Sequence, residues 1–434
     1  MKRVLIISYY FPPMGMGGVQ RMTKFARYLS DFGWEPTVLT VKPVAYYAHD
    51  PSLLDEVKGV RIERTESLDP LRLLQLLHKK GDVKTSQTPK GGGWLSRINN
   101  WFTRWFLIPD SKVLWRPFAK RAIQKLHKKT SFDLVMTSSP PHSAHALGAW
   151  MQSQYDIPWV ADFRDDWMGE EYERGPTYLH NTINHSMARR IVRQTDAVIS
   201  VSPPISQHLE FLRGSDVLTL YNGFDANDFK SKANSSPDPN RMTITYTGTL
   251  NALLDPEPLL KAVRIIIEEH PEIRSKIRIR FVGSAYGMDL ESIIHSFKLQ
   301  DVVEMTGYVS HPESVRALLE SDVLLLLLSS TLSEGKVTGK VFEYLASGKP
   351  ILGIVPEGEA AQMIRKFNAG SVVHPTDEKG MVDILLQIYK KWDDGKLESN
   401  PVCMQSLQKY ERREQTRNIA KLFDTILSKL SGSQ

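Results

Sequence analysis

A single cysteine, Cys403, stands in a chain of 434 residues. No intrachain disulfide can form, so a disulfide-stapled secreted fold is excluded, and so is a four-ligand zinc site built on thiolates. Long hydrophobic runs are missing too. The longest aliphatic run is Val323–Leu328, far short of the roughly 20 residues a membrane-spanning helix needs. Met1-Lys2-Arg3 followed by Val4-Leu5-Ile6-Ile7 starts like a secretory leader, but the apolar stretch stops at Ser8 and runs into Pro12-Pro13, too short for a leader's core. The expectation is a cytoplasmic protein. No G-x-G-x-x-G follows any apolar run, which argues against a dinucleotide-dependent dehydrogenase.

What is present suits a globular protein of two or three domains: 41% of residues are hydrophobic and 24% charged. The net charge of +6 is unevenly spread. Between His78 and Thr130 there are 13 Lys/Arg against two acids, Asp82 and Asp110, so that segment carries +11 and the remainder −5. A local basic surface points to a polyanion or an anionic membrane.

Apolar runs rich in β-branched residues occur at Val4–Ser8, Thr37–Val41, Val60–Ile62, Leu134–Thr137, Trp159–Asp162, Ala197–Val201 and Val217–Tyr221. A second series follows at Thr243–Thr247, Ile277–Val282, Val302–Met305, Val323–Leu328, Ile351–Ile354 and Ser371–Val373. Runs of this kind suit parallel strands buried on both faces. Helical spacing lies between them, as at Gln20–Phe32 (ended by Gly33), Glu257–Glu269 and Leu290–Phe297. Repeated strand–helix–strand units predict an α/β fold of two Rossmann-like, doubly wound domains, with ligands in a cleft. The polar stretch Phe229–Arg241, with Ser-Ser-Pro-Asp-Pro, reads as the linker. The domains are then expected at 1–230 and 240–404. The amphipathic stretch with Ile419, Leu422, Phe423, Ile426, Leu427 and Leu430 is a helix within about 405–434 that packs back on a domain.

Three blocks carry chemistry. In Ser8–Arg21 a loop with Gly15, Gly17 and Gly18 leaves the first strand and enters a helix, an arrangement that offers backbone N–H groups to an anion. In Ala161-Asp162-Phe163-Arg164-Asp165-Asp166-Trp167 four charges cluster at the carboxyl end of a strand, where open α/β sheets bind ligands. In Thr338–Pro350 a helix opens with Lys340, placed to meet a phosphate, and carries Glu343 one turn on, placed to accept ribose hydroxyls.

With Val201-Ser202-Pro203, Tyr221-Asn222-Gly223-Phe224-Asp225, Tyr246-Thr247-Gly248-Thr249-Leu250, Phe281-Val282-Gly283 and Thr306-Gly307-Tyr308-Val309 in order between them, these blocks resemble the retaining nucleotide-sugar glycosyltransferases of family 4, with the GT-B fold. The resemblance implies an N-terminal acceptor-side domain and a C-terminal domain for a nucleotide-diphosphate sugar donor, in cell-surface polysaccharide synthesis. It assigns Gly18, Arg164 and Asp165 to the reaction centre. Gly17, Gly18, Gly248, Thr249, Gly283, Tyr308, Lys336, Gly339, Lys340 and Glu343 fall to the donor. The family's Arg and Lys after the Gly248 strand are replaced by Asn251-Ala252-Leu253-Leu254-Asp255, leaving Lys336 or Lys340 to face the diphosphate. No Asp-x-Asp occurs, so no cofactor and no metal are expected. The acceptor is a saccharide or a lipid-linked saccharide. Two alternatives are a sugar-nucleotide epimerase on the same fold and a non-catalytic sugar- or polyanion-binding relative.

One segment stays outside those motifs. Trp94, Leu95, Ile98, Trp101, Phe102, Trp105 and Phe106 recur at helical steps beside Arg97 and Arg104, and with Trp115 they place four of the nine tryptophans in the basic segment. Tryptophan beside basic residues suits a bilayer interface. The same stripe also suits a core. The expectation is an anionic membrane surface contacted through 91–130, peripheral residence at the inner face of the plasma membrane, and no nucleic acid partner.

Overall fold

The computed structural model describes residues 1–44, 48–70, 72, 101, 103–169, 175–230, 236–331, 337–398 and 404–431. The chain divides into two compact units, Met1–Tyr221 with Arg412–Gln434, and Asn222–Glu411.

The first unit holds seven strands: β1 (Lys2–Ile7), β2 (Trp34–Val41), β3 (Arg61–Thr65), β4 (Leu134–Ser139), β5 (Trp159–Phe163), β6 (Ala197–Ser200) and β7 (Leu218–Thr219). Their order across the sheet is β3-β2-β1-β4-β5-β6-β7 and every pair is parallel. In register, Ile6 of β1 lies between Val38 of β2 and Met136 of β4. Both faces are covered, which is why β1, β4 and β5 are rich in apolar residues on both sides: Leu5 and Ile7 enter one core with Val135, Trp159 and Trp115, while Val4 and Ile6 enter the other with Phe25, Trp34 and Met136.

The second core also receives the C-terminal helix, Arg412–Ser431. Its Ile419, Ala420, Phe423 and Ile426 are buried there. The Phe423 ring meets Trp34 edge-on at 5.1 Å, and Asp424 accepts from Trp34 Nε1 at 3.1 Å and Lys2 Nζ at 2.7 Å. The helix therefore closes a face of the first unit from the far end of the chain.

The second unit holds β8 (Met242–Thr247), β9 (Ile277–Val282), β10 (Val303–Gly307), β11 (Val323–Leu327), β12 (Ile351–Ile354) and β13 (Gly370–Val373), in the order β10-β9-β8-β11-β12-β13, again all parallel. Every run read as a strand is one. The border differs from the sequence reading: it falls at Tyr221/Asn222, ahead of Phe229–Arg241. Phe224 and Phe229 pack 6.3 Å apart and the Phe224 N–H donates to Tyr410 O at 3.2 Å, so these residues fold with the second unit. In each unit the connection reverses direction beside the first strand, between β1 and β4 and between β8 and β11, and such switch points open ligand crevices at the carboxyl ends of the strands.

Candidate functional site

The second unit's crevice is walled by bare backbone. After β8, Gly248 has φ +117°, and after β9, Gly283 has φ +145°. A Cβ on Gly283 would stand 2.2 Å from the Gly248 carbonyl oxygen, so glycine is required by close approach as well as by torsion. The Gly248 N–H donates to Val282 O at 2.7 Å and the Leu250 N–H to Ser284 O at 2.9 Å, which fixes the two loops edge to edge.

Against this wall lies Lys340, first residue of the helix Lys340–Ser347, which starts without a side-chain cap. Its Nζ donates to Tyr246 Oη at 3.0 Å and sits 4.8 Å from that ring's centroid. A Cβ on Gly248 would come within 2.5 Å of Lys340 Cε, so Gly248 also makes room for the lysine. The Tyr246 hydroxyl in turn donates to Thr249 O at 3.0 Å. Burial pushes the Lys340 amine below the usual lysine range, against the opposing pull of Tyr344 and Glu343. Burial pushes the Tyr344 phenol up to about 12, and its oxygen accepts the Thr247 N–H at 3.1 Å. Among the described residues no carboxylate stands within ion-pair distance of Lys340, and Thr338 Oγ1 is buried without a hydrogen-bond partner. A cation and a helix N-terminus thus stand beside the glycine wall, with an orphan hydroxyl two residues before Lys340 in the chain.

Glu343 is half-buried one turn into that helix, Gly339 caps its start, Thr249 is half-buried after β8, and Tyr308 is half-buried just beyond β10. Lys336 lies outside the described residues. Tyr246, which holds Lys340, stands in the Tyr246–Leu250 block but was assigned no role from the sequence.

In the first unit the loop after β1 reaches the helix Gly17–Tyr28 through Met16 at φ +76°, and that helix has neither a side-chain cap nor an acid in its first turn. Gly17 faces open space, whereas a Cβ on Gly18 would lie 2.9 Å from Arg164 Nη1. Arg164 acts as a clasp: Nε donates to Ser139 O at 2.9 Å, Nη2 to Pro140 O at 3.1 Å and Nη1 to Gly18 O. Its side chain thereby ties the ends of β4 and β5 to the glycine loop. Asp165 is exposed beside it, and Asp166 accepts from His208 Nδ1 at 2.6 Å, which pulls that imidazole's pKa up.

Asp162 departs from the reading of four clustered charges. It is fully buried and paired with Arg21, Nη2 to Oδ1 at 2.8 Å, with Ser138 Oγ donating to Oδ2 at 2.9 Å. Arg21 Nη1 donates to Leu220 O at 2.9 Å and Tyr221 O at 3.0 Å. The sequence signal was a charge inside a strand and another on the inward face of a helix. Also missed was His142, whose ring stacks on Trp167 at 4.7 Å and whose burial holds it neutral.

The basic segment separates into parts. Trp115 is core, with Nε1 donating to Thr65 Oγ1 at 2.6 Å, and Lys112 is buried against Asp69 at 3.3 Å. That corrects the inclusion of Trp115 in a membrane-facing stripe: its indole finds its partner inside the sheet layer. Trp101 and Trp105 remain exposed. Trp94, Arg97 and Phe102 lie outside the described residues. No helix among the described residues is long and apolar enough to cross a membrane.

Two family models match. One described as "Glycosyltransferase Family 4" takes residues 16–228 and one described as "Glycosyl transferases group 1" takes residues 242–391. Among curated proteins the chain is similar to the putative colanic acid biosynthesis glycosyltransferase WcaL of Salmonella typhimurium, 25% identical over 38% of this chain and 42% of that protein. It is also similar to D-inositol 3-phosphate glycosyltransferase of Streptomyces coelicolor, 27% identical over 32% of this chain and 31% of that protein. The matches span less than half the length of these relatives. Among solved structures, the fold is similar to sucrose-phosphate synthase from Thermosynechococcus elongatus, with a TM-score of 0.64 at 14% identity, over 99% of this chain and 100% of that one.

Proposed function

From a chain that carries family 4 and group 1 glycosyltransferase domains on a GT-B fold, we propose a retaining glycosyltransferase that uses a nucleotide-diphosphate sugar. The acceptor is a saccharide or lipid-linked saccharide of cell-surface polysaccharide synthesis. The observation that carries the reading is Lys340: a half-buried ammonium with no carboxylate within ion-pair distance among the described residues, at a helix N-terminus, beside a wall of glycine backbone. That combination fits a diphosphate, whose negative charge grows as it leaves.

The bond from the sugar's anomeric carbon to the diphosphate oxygen breaks, and a bond from an acceptor hydroxyl forms on the same face. The acceptor's proton passes to a departing phosphate oxygen, so no protein base is required. The charge is compensated by Lys340 and the helix N-terminus, with Tyr308 lining the donor. Glu343 accepts the ribose hydroxyls. In the first unit, Gly17, Gly18 and Asp165 are the candidate acceptor-side residues, and Arg164 fixes the glycine loop.

The test is calorimetry against a panel of nucleotide sugars, followed by a transfer assay. Glu343→Gln should weaken donor binding by about 1.5–3 kcal/mol for each charge-assisted hydrogen bond lost. Unchanged affinity removes Glu343 from the site. An epimerised sugar formed without any acceptor would assign the reaction to the epimerase class instead.

A further inference from the structure

The helix Tyr178–Gln194 contains no Asp or Glu. Its inward side is Asn184, Ala188, Ile191 and Val192. At 100° per residue, the outward side collects Tyr178, Leu179 and Ile183 in the first two turns and Arg189, Arg190 and Arg193 in the last two. The outward face is therefore apolar at one end and basic at the other.

A second segment extends the apolar end. Trp101 and Trp105 lie 6.2 Å apart and Trp101 and Phe106 5.7 Å apart. Trp105 is joined to the helix through His180, whose Nε2 stands 3.0 Å from Trp105 O and whose ring meets the indole edge-on at 5.6 Å. Exposure is high for side chains of this kind: Tyr178 86%, Leu179 65%, Phe106 60% and Trp101 55%. Clustered apolar exposure on this scale marks an interaction site. Along its length the helix borders an open groove of about 850 Å³, lined among others by Met168, Tyr178, Thr182, His185, Arg189 and Arg193.

We propose that this face, the outward side of Tyr178–Gln194 with Trp101, Trp105 and Phe106, docks the protein on an anionic lipid bilayer. An interface of headgroups and acyl chains offers both halves of the pattern a partner at once: tryptophan, tyrosine and leucine enter at headgroup depth while arginines meet lipid phosphates. A soluble polyanion satisfies the arginines and leaves the aromatic shelf in water. The face keeps only Trp101, Trp105 and Phe106 of the 91–130 segment read from the sequence, since Trp115 and Lys112 are core, and adds the helix Tyr178–Gln194. It deepens the lipid-linked acceptor reading above and uses the first unit alone.

Flotation of the full chain with phosphatidylcholine vesicles, with and without phosphatidylglycerol, tests it. The protein should float with the anionic vesicles only, and less as salt rises. Arg189→Gln with Arg190→Gln should weaken binding about fivefold per charge. Trp101→Ser with Phe106→Ser should weaken it roughly tenfold or more. Both variants should keep the wild-type melting temperature and donor affinity, since these side chains are exposed. The proposal is overturned if the wild-type protein stays soluble with anionic vesicles at low salt, or if either variant floats like the wild type. It is also overturned if dissolved dextran sulfate strips the protein while vesicles bind the aromatic variant normally, which assigns the face to soluble polyanions. A floated protein that binds no nucleotide sugar refutes the donor reading and leaves the docking face standing.

Discussion

Tyr246→Phe isolates what holds the proposed diphosphate-binding cation. The substitution keeps the ring 4.8 Å from Lys340 Nζ and removes only the oxygen that accepts from it at 3.0 Å. Because the same hydroxyl donates to Thr249 O, its lone pair is committed to the ammonium. A hydrogen bond to a charged group contributes about 1.5–3 kcal/mol, so donor affinity should fall roughly 10- to 150-fold, with the upper end reached only if the amine also swings away. The pH dependence gives a second readout. Only the protonated amine attracts a diphosphate, and burial already places its pKa below the usual lysine value. Donor affinity should hold on the acid side and fall as pH rises through that lowered pKa; in Tyr246→Phe the fall should begin at lower pH. Folding stability moves the other way. The unfolded lysine binds its proton more tightly than the folded one, so between the two pKa values the unfolding free energy should rise with pH, and Lys340→Met should abolish that rise. Calorimetric titrations across pH, paired with urea melts, measure both. Affinity and pH profile superimposable on the wild type would refute the assignment of Lys340 as the cation and of Tyr246 as its holder.

Asp162→Asn should destabilise the first unit by about 3–5 kcal/mol, because it leaves the Arg21 guanidinium buried without its charge partner; urea unfolding followed by tryptophan fluorescence reports it, since eight of the nine tryptophans lie in that unit. A loss below about 1 kcal/mol, as for an exposed pair, would contradict the pairing. Gly283→Ala should lower the second unit's melting temperature and weaken donor binding together, since the new methyl would sit 2.2 Å from a backbone oxygen at φ +145°; normal melting with normal affinity would show that this wall is free to move.

The strands were legible because both sheets are parallel and covered on two faces. Interior strands are then mostly apolar, and Val323–Leu327 is so throughout, whereas Ile277–Val282 carries Arg278 and Arg280 half-buried between its buried apolar residues. Helix stops were legible where glycine supplies positive φ, as at Gly33 and Gly348. The unit border was not. Pro-Ser-Asp composition reports solvent exposure, and a loop that returns Phe224 and Phe229 to their own core has the same composition as one that separates two domains.

The site divides along a similar line. The positions of Gly248, Gly283 and Lys340 in the proposed donor site were legible because each is set by local geometry: the end of a strand or the first residue of a helix. Tyr246, Arg21 and Asp162 could not be assigned, because their roles depend on partners 94 and 141 residues away. A charge written inside an apolar run is nonetheless a signal. Unpaired, it would carry a desolvation penalty too large for the fold to retain, so Asp162 in β5 and Arg21 on an inward helix face each announce a missing partner, and their opposite signs make them candidates for each other. The reaction-centre reading of Arg164 turns on the same physics. Its donors are engaged on three backbone carbonyls, those of Ser139, Pro140 and Gly18, so its contribution is to fix where the glycine backbone stands.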